Sequence, residues 1–129
     1  LAVLFQMLVN GGVYGGMRLF EPETVQLFTS TKYSKNRGLG FDKPRGSDDN
    51  SAYAAGAPAA AFGHTGFTGT CVWADPQNEL VFVFLANRIC PDVKNRRLFE
   101  QKTRHRLHQV VYDAIGTLRP GLPELTEVE

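Results

Sequence analysis

Apolar residues recur at helical spacing near both ends of the chain. The first set precedes a Gly11-Gly12 pair that would end a helix, and it comprises Leu1, Leu4, Phe5 and Leu8. The second set would share one face of a helix ended by Gly116, and it comprises Leu107, Val110, Val111, Ala114 and Ile115. Because the first pattern is already under way at residue 1, we expect the chain to have been cut from a longer protein.

Between these helices the apolar pattern changes to that of a β-hairpin. Residues 68–75 and 79–87 are predicted strands, joined by a turn at 76–78. The second strand contains an unbroken apolar run from Leu80 to Leu85, so we expect both of its faces to be covered. The predicted helices would cover one face only, which leaves the other for self-association or another partner. These elements predict an α+β fold, an antiparallel sheet with packed helices.

A long irregular segment separates the hairpin from the N-terminal elements. Pro22 suits the first turn of a short helix, which residues 29–37 would follow as a polar loop. Residues 42–61 are first rich in turn formers and then in alanine. Because an irregular connection of about 20 residues inside a domain is usually functional or mobile, we interpret this segment as a loop bordering a site.

Composition and charge exclude several function classes. The 14 basic and 13 acidic residues give a net charge of +1, which offers no electrostatic footprint for nucleic acid. No apolar run approaches the roughly 18 to 20 residues that span a bilayer. His105 and His108 would share a helix face with solvent, and with His64 they lack the further ligands of a recognisable metal site. We therefore expect no metal and no membrane span.

The segment with the strongest chemical signal is residues 62–70. Gly63, Gly66 and Gly69 stand just where a strand is predicted to begin, beside a titratable His64. Because glycine weakens a strand, this density indicates that a ligand or another backbone approaches closely. A glycine-rich bend without a chemical role is the alternative interpretation. The glycine spacing does not fit a phosphate-binding loop.

Residues 63–76 resemble the third motif of the penicillin-recognising serine hydrolases, which include class C β-lactamases, D-alanyl-D-alanine peptidases and related esterases. In that family a Lys-Thr-Gly or His-Thr-Gly triplet lies on a strand at the edge of the active site, and here the triplet is His64-Thr65-Gly66. The likeness extends to residues 1–12 and 38–42, and to the hairpin that ends at residues 87–88 with its closing helix. It implies that residues 1–117 are the C-terminal segment of an incomplete β-lactamase-like fold, with 118–129 a polar tail.

The resemblance also implies roles for individual residues. His64 takes the place of the usual lysine and faces the nucleophile, and the backbone N–H of Phe67 is one of two oxyanion donors. These two are the expected catalytic groups. Thr65 offers its hydroxyl to a substrate carboxylate, Gly66 admits the substrate backbone, and Thr68 completes the substrate-binding set. The implied substrate is a small molecule or peptide with a carboxylate, and no cofactor is implied.

Two other family motifs are absent from the 129 residues, namely Ser-x-x-Lys and Tyr-x-Asn. The chain then has neither an activated serine nor a base, so we expect it to be inactive alone. The alternative is a non-catalytic binding module, because the chain also resembles the β-lactamase-like region that ends some bacterial glycoside hydrolases of family three. The resemblance to the serine hydrolase family implies that the parent protein lies in a bacterial periplasm or at the cell surface.

Overall fold

A computed structural model of the protein describes residues 1–31, 37–45 and 52–118. Within these ranges the elements are, in chain order, α1 (Ala2–Val9), β1 (Val13–Tyr14), β2 (Met17–Arg18), α2 (Pro22–Thr29), β3 (Phe62–Thr65), β4 (Gly69–Asp75), β5 (Leu80–Asn87), α3 (Arg97–Glu100) and α4 (Thr103–Leu118). Helices packed on antiparallel strands confirm the predicted α+β class.

Three strands form the main sheet, in the order β3-β4-β5 with both pairings antiparallel. The predicted hairpin corresponds to β4 and β5. The glycine-rich segment before it forms the additional strand β3 and the turn into β4, so His64 and Thr65 lie on a strand, as the resemblance implies. On the outer side of β3, Asp42 and Gly63 exchange two backbone hydrogen bonds, at N···O distances of 2.7 and 3.0 Å. Asp42 therefore covers part of the outer edge of β3.

One face of the sheet is covered by the two N-terminal helices. Phe5, Met7 and Leu8 of α1 pack with Phe62, Val72 and Ala74 of the sheet, and Val25 of α2 joins the same buried cluster. The ring of Phe62 lies 6.0 Å from that of Phe5 and 5.2 Å from that of Phe41, between ring centroids. This packing fixes the start of β3.

The opposite face of the sheet is covered by residues 52–61 and by α4. Tyr53 packs in a buried cluster with Cys71 and Trp73, and the ring of His108 stacks on Phe82 at 4.5 Å between centroids. The expectation of a missing layer is therefore wrong, because a segment without regular structure supplies part of that layer.

The continuous apolar run in β5 is less buried than predicted. Its residues Leu80 to Phe84 are half-buried, and Leu85 is 72% exposed. Sequence analysis expected both faces of this strand to be covered because the run has no polar interruption. In the described part of the chain β5 is the last strand of its sheet, which explains the difference.

The buried face of α4 coincides only in part with the predicted apolar stripe, of which Val111 and Ile115 are half-buried. His108 is 1% exposed, whereas Leu107 is 45% and Val110 61% exposed. The Ala54 N–H donates to His108 Nδ1 at 3.0 Å, and the Tyr112 hydroxyl donates to Asp75 Oδ2 at 2.8 Å. The expectation of a solvated histidine at 108 is wrong, because hydrogen bonds to buried partners select this face of the helix.

His105 is also engaged, through Nδ1 and the Tyr53 carbonyl oxygen at 2.7 Å, and is half-buried. Arg104 is half-buried, with its guanidinium 5.2 Å from the centre of the Phe99 ring. Gly116 lies inside α4, which ends at Leu118. The rest of the expected tail lies outside the described residues. Among the helices that are described, none is long and apolar enough to cross a membrane.

Candidate active site

The residues singled out by the resemblance lie together at the end of β3. His64 and Thr65 are its last two residues, and Gly66 begins the turn that leads into β4. His64 pairs with Val72 and Thr65 with Cys71, so their side chains leave the strand on opposite sides of the sheet. A ligand lying along this strand edge would have the imidazole on one side and the hydroxyl on the other.

Both ring nitrogens of His64 are hydrogen-bonded although the side chain is exposed. Nδ1 lies 2.8 Å from the carbonyl oxygen of Thr65, and Nε2 lies 3.1 Å from Nη2 of Arg37. Nη1 of Arg37 is in turn 3.5 Å from Oδ1 of Asp42. Arg37, predicted to lie in a polar loop, was not among the expected site residues, because no motif or periodicity connects two residues that are 27 positions apart.

The three glycines of the segment serve different purposes. A Cβ on Gly63 would lie 2.1 Å from the carbonyl oxygen of Val72 and 2.6 Å from Cδ2 of Trp73. Gly69 has a φ of +99°, which side chains rarely adopt, and its Cβ would lie 2.4 Å from Cδ2 of Leu98. A Cβ on Gly66 would make only an ordinary contact, 3.6 Å from Cβ of Thr70. Packing within the described chain thus explains Gly63 and Gly69 and leaves Gly66 unexplained.

Arg88 fixes the turn that carries Phe67. Its Nε donates to the carbonyl oxygen of Phe67 at 3.1 Å, and its backbone N–H donates to that of Thr68 at 2.9 Å. The guanidinium lies 5.0 Å from the centre of the Phe67 ring and 4.8 Å from that of Phe99. The Phe67 N–H has no hydrogen-bond partner in the part of the chain that the structure describes. The turn is therefore ordered while one of its donors stays available.

The two threonines of the predicted substrate-binding set differ in their surroundings. Thr68 Oγ1 lies 3.4 Å from Oγ1 of Thr70, which also donates to the carbonyl oxygen of Ala86 at 3.2 Å. The hydroxyl of Thr68 is thus part of a contact between β4 and β5. Thr65 is half-buried, and among the described residues its hydroxyl has no protein partner. Thr65 is the threonine better placed to donate to a ligand.

The segment expected to border the site, residues 42–61, has its two described ends joined by Lys43. Lys43 is buried, and its Nζ donates to the carbonyl oxygen of Ala60 at 3.0 Å. Burial lowers the pKa of this amine to about 8. Residues 46–51 of the predicted loop lie outside the described residues. Across the ranges that are described, no group of three His, Cys, Asp or Glu side chains could hold a metal ion.

Comparison with known proteins identifies one family. Residues 13–104 match the family model described as "Beta-lactamase". The chain is 37% identical over 105 residues to a "Putative D-alanyl-D-alanine carboxypeptidase" of Escherichia coli K12, a match that covers 78% of the chain and 24% of the relative. A protein of the same description from Salmonella gallinarum is 36% identical over 99 residues, which cover 76% of the chain and 23% of that relative.

A solved structure shows the same relationship. The crystal structure of a penicillin-binding protein homologue from Caulobacter crescentus superposes with a TM-score of 0.53 at 25% sequence identity, over 67% of this chain and 24% of that one. The chain thus spans about a quarter of the length of the relatives it matches. It has part of their fold, with the His-Thr-Gly triplet on a sheet edge, and it belongs to the β-lactamase family of serine hydrolases.

Proposed function

We propose that residues 1–117 form the C-terminal segment of a β-lactamase-like domain and supply the substrate-binding edge of its active site. The reaction is acyl transfer on a D-alanyl peptide, a β-lactam or an ester that carries a carboxylate. The observation that supports this most directly is the end of β3 and the turn after it. An exposed imidazole at His64 is followed there by a hydroxyl at Thr65 and a backbone N–H at Phe67 that have no partner among the described residues.

Each group at this edge has a defined task in the proposal. The Phe67 N–H donates to the oxyanion that forms when a nucleophile attacks the substrate carbonyl. Loss of one such donor typically costs roughly 3 to 4 kcal/mol of barrier. The contact between Arg88 and the Phe67 carbonyl oxygen, at 3.1 Å, holds the backbone of Phe67 in place before substrate arrives. Preorganisation of this kind is what makes an oxyanion donor effective.

Substrate binding is assigned to the next part of the edge. The Thr65 hydroxyl donates to the substrate carboxylate, and Gly66 lets the substrate backbone approach because it has no side chain. A Cβ on Gly66 would meet nothing closer than 3.6 Å within the described chain, so approach from outside is a sufficient reason for the glycine. Thr68 supports this set through Thr70, 3.4 Å away between hydroxyl oxygens.

The nucleophile has to come from elsewhere in the protein. The 129 residues contain no Ser-x-x-Lys and no Tyr-x-Asn, so they offer no serine with an adjacent base. We therefore expect the 129-residue chain to hydrolyse nothing, and the product of the intact gene to be active. The test is turnover of a chromogenic cephalosporin, an activated ester and a D-alanyl-D-alanine peptide by both proteins.

Variants of the intact protein test the assigned carboxylate contact. Thr65→Val should lower kcat/KM for a peptide with a free carboxylate by about tenfold or more relative to its C-terminal amide. Thr117→Val, at an exposed position near the end of α4, is the matched control and should change neither rate. Turnover by the 129-residue chain would contradict the assignment of the nucleophile. Peptide binding by the intact protein without turnover would favour the binding-module alternative.

Self-association of the 129-residue chain stays a prediction, now on different grounds. Both sheet faces are covered, but Leu85 on the last described strand is 72% exposed, and Met17 and Val110 are exposed as well. Exposed apolar surface favours association. Sedimentation velocity should show assembly that increases with concentration and that Leu85→Lys reduces more than Gln6→Lys on α1. A monomer at every concentration would contradict the prediction.

A further inference from the structure

We propose that Arg37 is the permanent cation of this site, and that its guanidinium holds His64 as the neutral Nδ1–H tautomer. His64 then acts as an uncharged hydrogen-bonding group, and Arg37 is its positioning residue. The part of this inference that concerns a substrate carboxylate rests on the proposed function. The part that concerns the state of the His64 ring rests on the geometry of the chain alone.

The hydrogen bonds of His64 indicate which of its ring nitrogens carries the hydrogen. The Thr65 carbonyl oxygen can only accept, so Nδ1 of His64 carries the hydrogen in their 2.8 Å contact. A guanidinium has five N–H donors and no acceptor, so Nε2 of His64 offers its lone pair to Nη2 of Arg37 at 3.1 Å. A second proton, on Nε2, would remove this hydrogen bond and set two positive groups against each other. The arrangement therefore requires a neutral ring with its hydrogen on Nδ1.

Arg37 is held in place from its other side by Asp42. Nη1 of Arg37 lies 3.5 Å from Oδ1 of Asp42, and the backbone of Asp42 is hydrogen-bonded to Gly63, the residue before His64. Strand β3 thus carries His64 and, through the pairing of Gly63 with Asp42, positions the carboxylate that holds Arg37. The Arg37 side chain is 53% exposed, so further N–H donors of the guanidinium face solvent. Such a group can take a carboxylate in a two-pronged geometry.

The position of the charge has a consequence for the chemistry. A guanidinium keeps its charge at every physiological pH, whereas an imidazole does not. With the charge on Arg37, attraction of a substrate carboxylate does not depend on protonation of His64.

Side-chain nitrogen NMR of the ¹⁵N-histidine-labelled 129-residue chain tests the tautomer directly. At about pH 8, where histidine rings are ordinarily neutral, the His64 signals should show hydrogen on Nδ1. The His64→Gln variant assigns these signals. Arg37→Met should shift His64 towards hydrogen on Nε2, and Arg37→Lys, which keeps a charged donor, should preserve more of the Nδ1–H form. Arg106→Met, at an exposed position on α4, is the control and should change nothing.

Two NMR outcomes would overturn the inference, namely a wild-type His64 with its hydrogen on Nε2, or an Arg37→Met spectrum identical to wild type. A second experiment uses the intact protein and the pair of carboxylate and amide peptides. Arg37→Met should reduce the preference for the carboxylate about tenfold or more. An unchanged preference, with turnover intact, would refute the charge role of Arg37 alone. If neither peptide is turned over, the proposed function fails, and the NMR result by itself decides the role of Arg37.

Discussion

Gly63→Ala is expected to destabilise this protein severely, whereas Gly66→Ala, three residues along the chain, is expected to leave its stability unchanged. At Gly63 the new methyl group would lie 2.1 Å from the backbone oxygen of Val72 and 2.6 Å from a ring carbon of Trp73, which is buried. Neither neighbour can yield without opening the pairing of β3 with β4. Overpacking typically costs about 1 to 3 kcal/mol and occasionally more, and we expect Gly63→Ala to reach at least the upper end.

The Gly66→Ala variant separates stability from function. Its methyl group would meet Thr70 at 3.6 Å, an ordinary contact. Denaturant unfolding of the two variants beside wild type measures the contrast. In the intact protein, Gly66→Ala should nevertheless lower kcat/KM, because its methyl group points to where the proposed substrate backbone lies. Equal destabilisation by both variants would contradict the packing argument, and full activity in Gly66→Ala would contradict the substrate path.

Acid is expected to weaken the fold through His108. Burial, the largest effect, lowers the pKa of this imidazole to about 4, although the charge of Asp75 opposes the shift. The unfolded chain therefore binds a proton below pH 6.5 that the folded chain does not bind until about pH 4. Stability is fully present above pH 6.5 and falls as the pH drops towards 4. A shift of this size corresponds to about 3 kcal/mol.

Comparison of two variants on α4 isolates this effect. His108→Asn keeps an acceptor for the Ala54 N–H and removes the titration, so its free energy of unfolding should be lower at neutral pH and fall less between pH 6.5 and 4. Leu107→Asn, at an exposed and non-titrating position on the same helix, should follow the wild-type profile. Acid effects of the carboxyl groups are common to all three proteins and cancel in the differences. Parallel profiles for wild type and His108→Asn would refute the prediction.

The apolar stripe predicted for the last helix shows where sequence reasoning fails. Spacing placed Leu107 and Val110 on the buried face, but that face carries His108 and Tyr112. Their partners, Ala54 and Asp75, are 54 and 37 positions away. Hydrophobic periodicity assigns a histidine to the solvated face of a helix, because it contains no information about which backbone N–H will donate to the imidazole ring. The prediction that one sheet face lacks a layer fails for the same reason, since the irregular residues 52–61 fill it.

Local sequence alone determined the β4–β5 hairpin, because its residues are close in the chain and its turn is stabilised from within. Asp75 Oδ1 accepts from the Gln77 and Asn78 N–H groups at 2.9 and 3.2 Å, so the turn is stabilised by its own residues. The His-Thr-Gly triplet was likewise recognisable without coordinates. Tertiary structure alone decided what surrounds the triplet. Arg37 reaches His64 across 27 positions because Asp42 pairs with β3, and such contacts depend on how the chain closes on itself.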